Sequence, residues 1–349
     1  MASAFAANDK EIRFIYCSDL HYGIKREFRG EECDAFMVID EMLKSFGLLY
    51  TSELPSDGGV GGGTSFGMPD FLVCTGDISN RMQNGAWQAS RSWRQFEKDW
   101  LGTLQYPIYI VPGNHDISNA IGHPKKLTPA RDETSAIEIY NHNMPEFGYP
   151  EISSFDYSSN KVHYTFVKDN LRFAFMGMWP DSIMRNWLDG ILKEDSISST
   201  ILFAHDPVEA EAKHFINPNF PYDINSKDKF ENLLSDTCTV SDKDMKPIGN
   251  WNKLEKFIAS HPQIKAYFHG DCNYNEFYDW KGTEGTISLP VFRVDSPMKG
   301  ELSSEDESLL SYQVVCIDTE NRIITVRECL WNRNGETSVS WGDMKSISY

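Results

Sequence analysis

The amino-acid sequence predicts an α/β domain with two packed β-sheets, and two observations lead to this fold class. Through the first half of the chain, apolar runs typical of buried strands alternate with stretches of helical apolar spacing. Later, hairpin patterns dominate, with predicted turns at Asp169-Asn170 and at Glu320-Asn321. Alternating strands and helices followed by hairpins are typical of a layered fold of this class.

Each predicted element rests on its own pattern. Alternating bulky and β-branched residues indicate strands, apolar residues three and four apart indicate helices, and Gly- and Ser-rich stretches indicate loops. In chain order these patterns predict a strand in 11–21, a helix in 33–50, a loop in 55–70, a strand in 69–77, a helix in 86–104, a strand in 106–116, a helix near 133–142, a hairpin in 161–179, a strand in 199–207, a polar excursion in 207–248, a helix and strand in 250–271, and antiparallel strands in 285–297 and 311–329.

The sequence shows neither an internal repeat nor a clear domain linker. We therefore expect one domain over residues 1–349. Its core, residues 11–300, would carry all the motifs described below, and residues 301–349 would form C-terminal antiparallel strands that pack on this core.

Charge and composition exclude several partners. The 349 residues carry a formal net charge of −18, which would repel long nucleic acids and anionic membrane surfaces. No stretch is long and apolar enough to predict a membrane span. The seven cysteines lack paired spacing, which favours a cytoplasmic, reducing location. The alternative is an exported protein without its signal peptide, because "MASAFAANDK" resembles the small-residue end of such a peptide. The oligomeric state stays open.

Five predicted strands end in Asp, Asn or His. In α/β sheets, ligands bind at the carboxyl ends of strands, so neighbouring strands would bring these loops to one edge. The candidate residues are Asp19 and His21 after "IYCS", Asp77 after "LVCTG", Asn114 and His115 in "YIVPGNHD", His205 in "LFAHDP", and Asp271 and Asn273 in "YFHGDCN".

This mixture of carboxylate, imidazole and amide groups suits first-row divalent metals. Crowded carboxylates repel one another unless cations lie between them. Two metals about 3.5–4 Å apart that share a carboxylate would remove this repulsion and create a hydrolytic centre. We therefore expect two divalent metal ions as cofactors, with Mn, Fe and Zn as the candidates.

The motifs together resemble those of a known family, the calcineurin-like metallophosphoesterases, which include purple acid phosphatases and cyclic-nucleotide phosphodiesterases. The resemblance runs through roughly residues 12–295 as motifs in order. It implies two mixed β-sheets flanked by helices, a metallophosphoesterase-like sandwich. The motifs that carry it are Asp19-x-His21, Gly76-Asp77, Gly113-Asn114-His115-Asp116 and His205-Asp206-Pro207.

The resemblance also implies roles for these residues. Asp19 and His21 would hold the first metal, Asp77 would bridge both, and Asn114 and His205 would hold the second. His115 would face the substrate phosphate without binding metal.

The last loop departs from the family pattern, which is usually Gly-His-x-His. In strict register, Asp271 and Asn273 replace the two histidines, and Asn273 would bind weakly through its amide oxygen. A second register uses His269 and Asp271, which are also two residues apart. We prefer the strict register, with His269 as a neighbour or alternative ligand. Oxygen ligands would favour harder metals, so Mn, or even Ca, becomes more plausible than Zn.

By resemblance, the expected function is hydrolysis of a small phosphomonoester or phosphodiester by a metal-bridging hydroxide. Asp77 and His115 would be catalytic, with His115 protonating the leaving group or stabilising its charge. Arg81 lies four residues after Asp77 and could reach the substrate phosphate. The alternative is a metal-binding interaction module of the same fold, with little turnover because its last metal motif is atypical.

Overall fold

The computed structural model describes residues 10–122, 127–195, 198–215, 236 and 246–349. Most of the polar excursion expected in 207–248 lies outside these residues. The strands are β1 Glu11–Cys17, β2 Lys25–Phe28, β3 Glu31–Asp34, β4 Phe71–Cys74, β5 Ile108–Ile110, β6 Tyr164–Lys168, β7 Leu171–Phe175, β8 Ser199–Phe203, β9 Ile264–His269, β10 Glu276–Trp280, β11 Leu289–Arg293, β12 Ser311–Asp318, β13 Ile323–Leu330 and β14 Ser340–Ser348. The helices are α1 Ala35–Leu49, α2 Ala89–Phe96, α3 Asn114–Ile121, α4 Thr134–Asn143, α5 Ser182–Glu194 and α6 Ile248–Ser260.

Two mixed six-stranded sheets form the centre of the molecule, as the sequence predicted. Sheet 1 has the order β14-β13-β12-β1-β4-β5, and sheet 2 has the order β10-β11-β9-β8-β7-β6. The C-terminal strands extend sheet 1, because β12 pairs antiparallel with β1. A separate hairpin is formed by β2 and β3. Among the described residues, no helix has both the length and the apolar character needed to cross a membrane.

Aromatic side chains fill the space between the two sheets. Phe14 of sheet 1 stacks on Phe71 with ring centroids 4.9 Å apart, and it meets the edges of Phe173 and Phe203 of sheet 2. These rings are fully or almost fully buried. Each buried aromatic ring removes roughly 150–250 Å² of surface from water, so this layer holds the sheets together.

The parallel strands of both sheets direct their carboxyl ends to the loops that carry the motifs. In sheet 1, β1, β4 and β5 are parallel, and Cys17 pairs with Cys74 at their ends. In sheet 2, β7, β8, β9 and β11 are parallel. The strand ends therefore bring distant parts of the chain to one edge of the double sheet.

One strand direction differs from the prediction. The segment 285–297 was expected to contain an antiparallel strand, but β11 is parallel to β9, with Arg293 opposite His269. The reason is the connection between them, since β10 passes along the outer edge as the antiparallel partner of β11. The carboxyl end of β11 consequently lies beside that of β9 and adds a sixth loop, residues 294–300, to this edge.

Candidate metal centre

Backbone hydrogen bonds fasten the motif loops to one another. The amide of Asp19 donates to the carbonyl of Gly76 at 2.9 Å, and that of His21 donates to the carbonyl of Asp77 at 2.8 Å. In sheet 2, the amide of Gly270 donates to the carbonyl of His205 at 3.0 Å. Backbone hydrogen bonds thus fix the Asp19 loop to the Asp77 loop, and the His205 loop to the Asp271 loop.

Two glycines permit this close approach. A Cβ atom on Gly113 would lie 2.1 Å from Oδ1 of Asp77, and one on Gly270 would lie 2.2 Å from Oδ2 of Asp19. Any side chain at either position would push two loops apart.

Backbone strain is concentrated at the same place. Half of the ten non-glycine residues with left-handed φ in the described part of the chain are candidate ligands, and conformations of this kind cost about 1–3 kcal/mol each. The five are Asp19, His21, Asp77, Asp271 and Asn273.

The first group of side chains surrounds His21, which is almost fully buried. Its Nε2 atom lies 3.7 Å from Oδ1 of Asp19 and 3.7 Å from Oδ2 of Asp77. These separations exceed a hydrogen bond and match two ligands that share a cation, each bound at about 2.0–2.2 Å.

The second group surrounds His205, which is fully buried. Its Nδ1–H donates to the carbonyl of Thr75 at 2.7 Å, which leaves Nε2 to face the site. Nε2 lies 3.3 Å from Oδ1 of Asn114, 3.6 Å from Oδ1 of Asp77 and 3.8 Å from Oδ1 of Asp271. The two oxygens of Asp77 therefore face different histidines, which is the arrangement of a bridging carboxylate.

The electrostatics of the site call for positive charge. Burial raises the pKa of Asp19, and it raises that of Asp77 well above its ordinary value. Burial alone would lower the pKa of His205, but the carboxylates of Asp77, Asp19 and Asp271 raise it to about 10. The carboxylates of Asp77, Asp19 and Asp271 therefore favour a positive charge at His205. A divalent cation would compensate the negative charge of the same carboxylates.

Buried polar atoms without hydrogen-bond partners are a second sign that this site suits a cation. Oδ1 of Asp19, Nδ1 of His21 and Oδ1 of Asn273 are buried and make no hydrogen bond. Such atoms are rare in folded proteins and call for an explanation, of which a bound ion is one. Together with the ligand spacing and the carboxylate, imidazole and amide donors, they fit divalent metals.

The last loop places Asp271 and His269 differently. The amide of Asp271 donates to Oδ2 of Asp19 at 2.9 Å, so this residue lies within the site. His269 is buried and turned away. Its Nδ1–H donates to the carbonyl of Gly270, and its Nε2 accepts from the hydroxyl of Tyr278 at 3.2 Å. Burial and then the charge of Arg293 lower the pKa of His269 to about 3, so it is a neutral, fully partnered side chain.

His115 lies next to the first group, with Nε2 3.8 Å from Oδ2 of Asp77. Its ring centroid is 4.8 Å from that of His21, and its Nδ1 accepts the backbone N–H of Arg81 at 2.7 Å. The neutral ring must therefore carry its proton on Nε2. Burial, and then the positive charges of Lys299 and Arg81, hold the pKa of His115 well below its usual range. In this structure His115 is a neutral hydrogen-bond donor, and Arg81 lies close enough to influence it.

Two neighbours were missed from the sequence. Asp206 is fully buried, groups with His205 and Asp271, and lies 3.2 Å from Nδ1 of His214. Only its place in the His205-Asp206-Pro207 motif could have indicated it. Lys299 lies on the sixth loop, with Nζ 3.3 Å from Nε2 of His115. The available signal was an apolar run, "VFRV", that stops at Asp295 in the manner of the other five.

A cleft of about 490 Å³ opens beside the site at Asp271. Its walls combine aromatic rings with charged groups, and they include Cys272, Glu276, Tyr278, Trp280 and Arg293. The guanidinium of Arg293 lies over the ring of Tyr274 at 4.3 Å and is paired with Glu276 at 2.8 Å. The cleft is therefore a pre-formed space next to the candidate metal ligands.

Comparison with known proteins identifies one relative in sequence and one similar fold. The chain is 25% identical over 140 residues to the glycerophosphodiester phosphodiesterase GpdQ of Enterobacter lignolyticus (strain SCF1). That alignment covers 40% of this chain and 42% of the relative, so the chain spans less than half of that protein's length. The fold is similar to the crystal structure of a dimetal phosphatase from Danio rerio, with a TM-score of 0.55, 11% identity, and coverage of 97% of this chain and 99% of that one.

The family itself is matched over most of the sequence. Residues 12–271, well over half of the chain, match the calcineurin-like phosphoesterase family. The match contains the five motif loops up to Asp271 and ends before the sixth loop. The resemblance predicted from the motifs is confirmed, and the chain belongs to the calcineurin-like phosphoesterase family.

Proposed function

We propose that this chain hydrolyses small phosphoesters with the help of two divalent cations held by the motif loops. The observation that carries this proposal is the position of Asp77. Its Oδ2 faces His21 at 3.7 Å and its Oδ1 faces His205 at 3.6 Å, so one carboxylate can serve two cations. Membership of the family supports the reaction class, and the names of the relative and of the structural neighbour include both a phosphodiesterase and a phosphatase.

The residues divide into two ligand sets that share Asp77. Asp19, His21 and Asp77 would hold the first cation, with the unpartnered amide oxygen of Asn273 as an additional weak ligand. Asp77, Asn114, His205 and Asp271 would hold the second. When bound, the cations would polarise the phosphoryl group and activate water for attack on phosphorus.

The chain's own groups would handle the substrate. His115 presents Nε2–H as a donor to an oxygen of the phosphoryl group or of the leaving group. Its low pKa and the Arg81 amide at Nδ1 favour the role of charge stabiliser over that of proton donor. Arg81 would bind a phosphoryl oxygen. The cleft beside Asp271 would receive the rest of the substrate.

The test is hydrolysis by metal-stripped protein to which Mn, Fe, Zn or Mg is added back one at a time. An aryl phosphomonoester and a bis-aryl phosphodiester serve as substrates. We expect no turnover without metal and restored turnover with at least one metal. A matched control is Asp40→Asn, which removes an exposed carboxylate paired with Lys44 and should leave both rates unchanged.

The competing function is the interaction module, and a specific observation favours it. Asn273 offers one neutral oxygen where the family usually has an imidazole, which weakens the first site. Stoichiometric metal binding without turnover on either phosphoester, with any metal, would overturn the hydrolase proposal and support the module.

A further inference from the structure

Lys299 is held on a turn that is built directly on the metal-site backbone. The hydroxyl of Ser296 donates to the carbonyl of Asp19 at 2.7 Å. The same hydroxyl accepts the backbone N–H of Lys299 at 2.9 Å and that of Met298 at 3.2 Å. Ser296 is fully buried. The hydroxyl of Ser296 therefore links the backbone of Lys299 to the backbone of Asp19, a candidate metal ligand.

Two further contacts fix this sixth loop. The guanidinium of Arg26 donates to the carbonyls of Pro297 at 2.7 Å and Ser303 at 2.8 Å, on either side of Lys299. The amide of Glu301 donates to the carbonyl of Asn273 at 2.6 Å. The loop is thus tied both to the first motif and to the last. Such anchoring is what a positioned functional side chain requires.

The side chain of Lys299 extends into the site. Its Nζ lies 3.3 Å from Nε2 of His115, and Asp77, Asp19 and Asp271 all influence its charge. Within the described ranges, no carboxylate lies at ion-pair distance from it. Burial lowers the pKa of Lys299 to about 8, and the negative charge of Asp77 opposes this shift.

The contact between Lys299 and His115 brings two donors face to face. Nε2 of His115 must carry the ring proton, because Nδ1 accepts the amide of Arg81. A lysine ammonium has only donors. Two donor atoms 3.3 Å apart are best satisfied by one shared acceptor, since an oxygen can lie about 2.8–3.0 Å from both. An anionic oxygen is the acceptor that this pair fits.

We propose that Lys299 is a catalytic residue whose ammonium binds a phosphoryl oxygen of the substrate jointly with Nε2–H of His115. This inference rests on the proposed function. It adds a residue that lies outside the matched family segment, 12–271, and outside the motifs of the five other loops. The bond made here is a charge-assisted hydrogen bond to an oxyanion.

The charge of Lys299 has a consequence for substrate choice. A phosphomonoester carries up to two negative charges on its phosphoryl group near neutral pH, whereas a phosphodiester carries one. An added cation therefore favours the monoester. Removing it should reduce monoester hydrolysis more than diester hydrolysis.

The test compares Lys299→Met, Lys299→Arg and Lys44→Met with the wild type. Lys44 is an exposed lysine on α1 and serves as the matched control. Inorganic phosphate is the probe, and its binding to the metal-loaded proteins is measured by calorimetry. We expect Lys299→Met to weaken phosphate binding about 10- to 100-fold, Lys299→Arg to retain most of it, and Lys44→Met to change nothing. Metal content should be the same in all four proteins.

Kinetics and metal analysis supply the opposing outcomes. Lys299→Met should lower kcat/KM for an aryl phosphomonoester more than for a diester. Unchanged phosphate binding, or equal losses for both substrates, would overturn the proposal. So would a gain of metal in Lys299→Met, since the ammonium would then occupy the place of a cation. If the wild type turns over no phosphoester but its phosphate binding depends on Lys299, the hydrolase proposal fails while the phosphate site remains.

Discussion

Two buried carboxylates of this protein are held in opposite ways. Glu255 on α6 is 1% exposed and accepts hydrogen bonds from the amides of Thr283, Glu284 and Thr286 and from both threonine hydroxyls, at 2.6–3.2 Å. Asp77 is 2% exposed, and its Oδ1 accepts a hydrogen bond from the amide of His115 at 2.8 Å. Burial would raise the pKa of Glu255, but the bonds from Thr286 and Thr283 lower it to about 2, whereas burial raises that of Asp77 well above its ordinary value.

This difference is the one expected between a structural carboxylate and a carboxylate that is a candidate metal ligand. Where a negative charge serves only to tie a turn to a helix, the fold surrounds it with donors. Around Asp77, acidic neighbours and histidine nitrogens at 3.6–3.8 Å replace those donors. Such a group is costly to bury unless a cation arrives to compensate it.

The largest effect is expected from Asp77→Asn. The amide keeps the shape of the side chain but cannot bridge two cations, so activity should fall by at least about 1,000-fold and metal content should drop. The metal-free variant should be as stable as the metal-free wild type or more stable, because the repulsion with Asp19 and Asp116 is removed. Metal analysis, kinetics and urea unfolding of the stripped proteins measure these effects. A variant that keeps both ions and its turnover would refute the bridging role.

The next largest effect on metal content and activity is expected in the loop that contains His269 and Asp271. Asp271→Ala should remove one ion and most of the activity, because it deletes an anionic group that faces His205. His269→Ala should keep both ions and lose stability, because it leaves a cavity and strands the hydroxyl of Tyr278. Metal counting on both variants decides the register. Loss of an ion from His269→Ala, with both retained in Asp271→Ala, would reverse the assignment.

The smallest effect is expected from Glu255→Gln, which should act on stability and leave metal content unchanged. The NH₂ group of the glutamine would lie against the N–H and O–H donors that now bind the carboxylate. This should lower the free energy of unfolding by about 1–3 kcal/mol at pH 7. The pKa of Glu255 lies below its unfolded value near 4.5, so its stabilisation is complete above that pH and is lost as the pH falls toward 2. Urea unfolding at pH 7 and pH 3 should show the gap between wild type and variant narrowing in acid. A constant gap would mean that the carboxylate charge does not matter.

Much of this site was predictable because strand ends leave a local signature. An apolar run followed by Asp, Asn or His identified Asp19, Asp77, His205 and Asp271, and the structure brings these side chains together. β11 has the same signature, an apolar run that stops at Asp295, but the signature does not reveal the direction of the strand. That direction depends on the path through β10, and Lys299 was missed for that reason.

The orientation of the His269 side chain could not be predicted from the sequence either. Spacing by two keeps two residues on one face only while the strand stays extended. Asp271 has a φ of 61°, so the chain leaves the pleat after His269, and the two side chains diverge. The αL turn of this loop is a tertiary feature, since it allows Gly270 to pack against Asp19.

Anomalous X-ray diffraction from crystals soaked in Mn²⁺ tests the central claim most directly. We predict two peaks that share Asp77, one next to Asp19 and His21 and the other next to Asn114, His205 and Asp271. Absence of any peak at Asp77 in fully soaked crystals, or strong peaks only elsewhere, would contradict it.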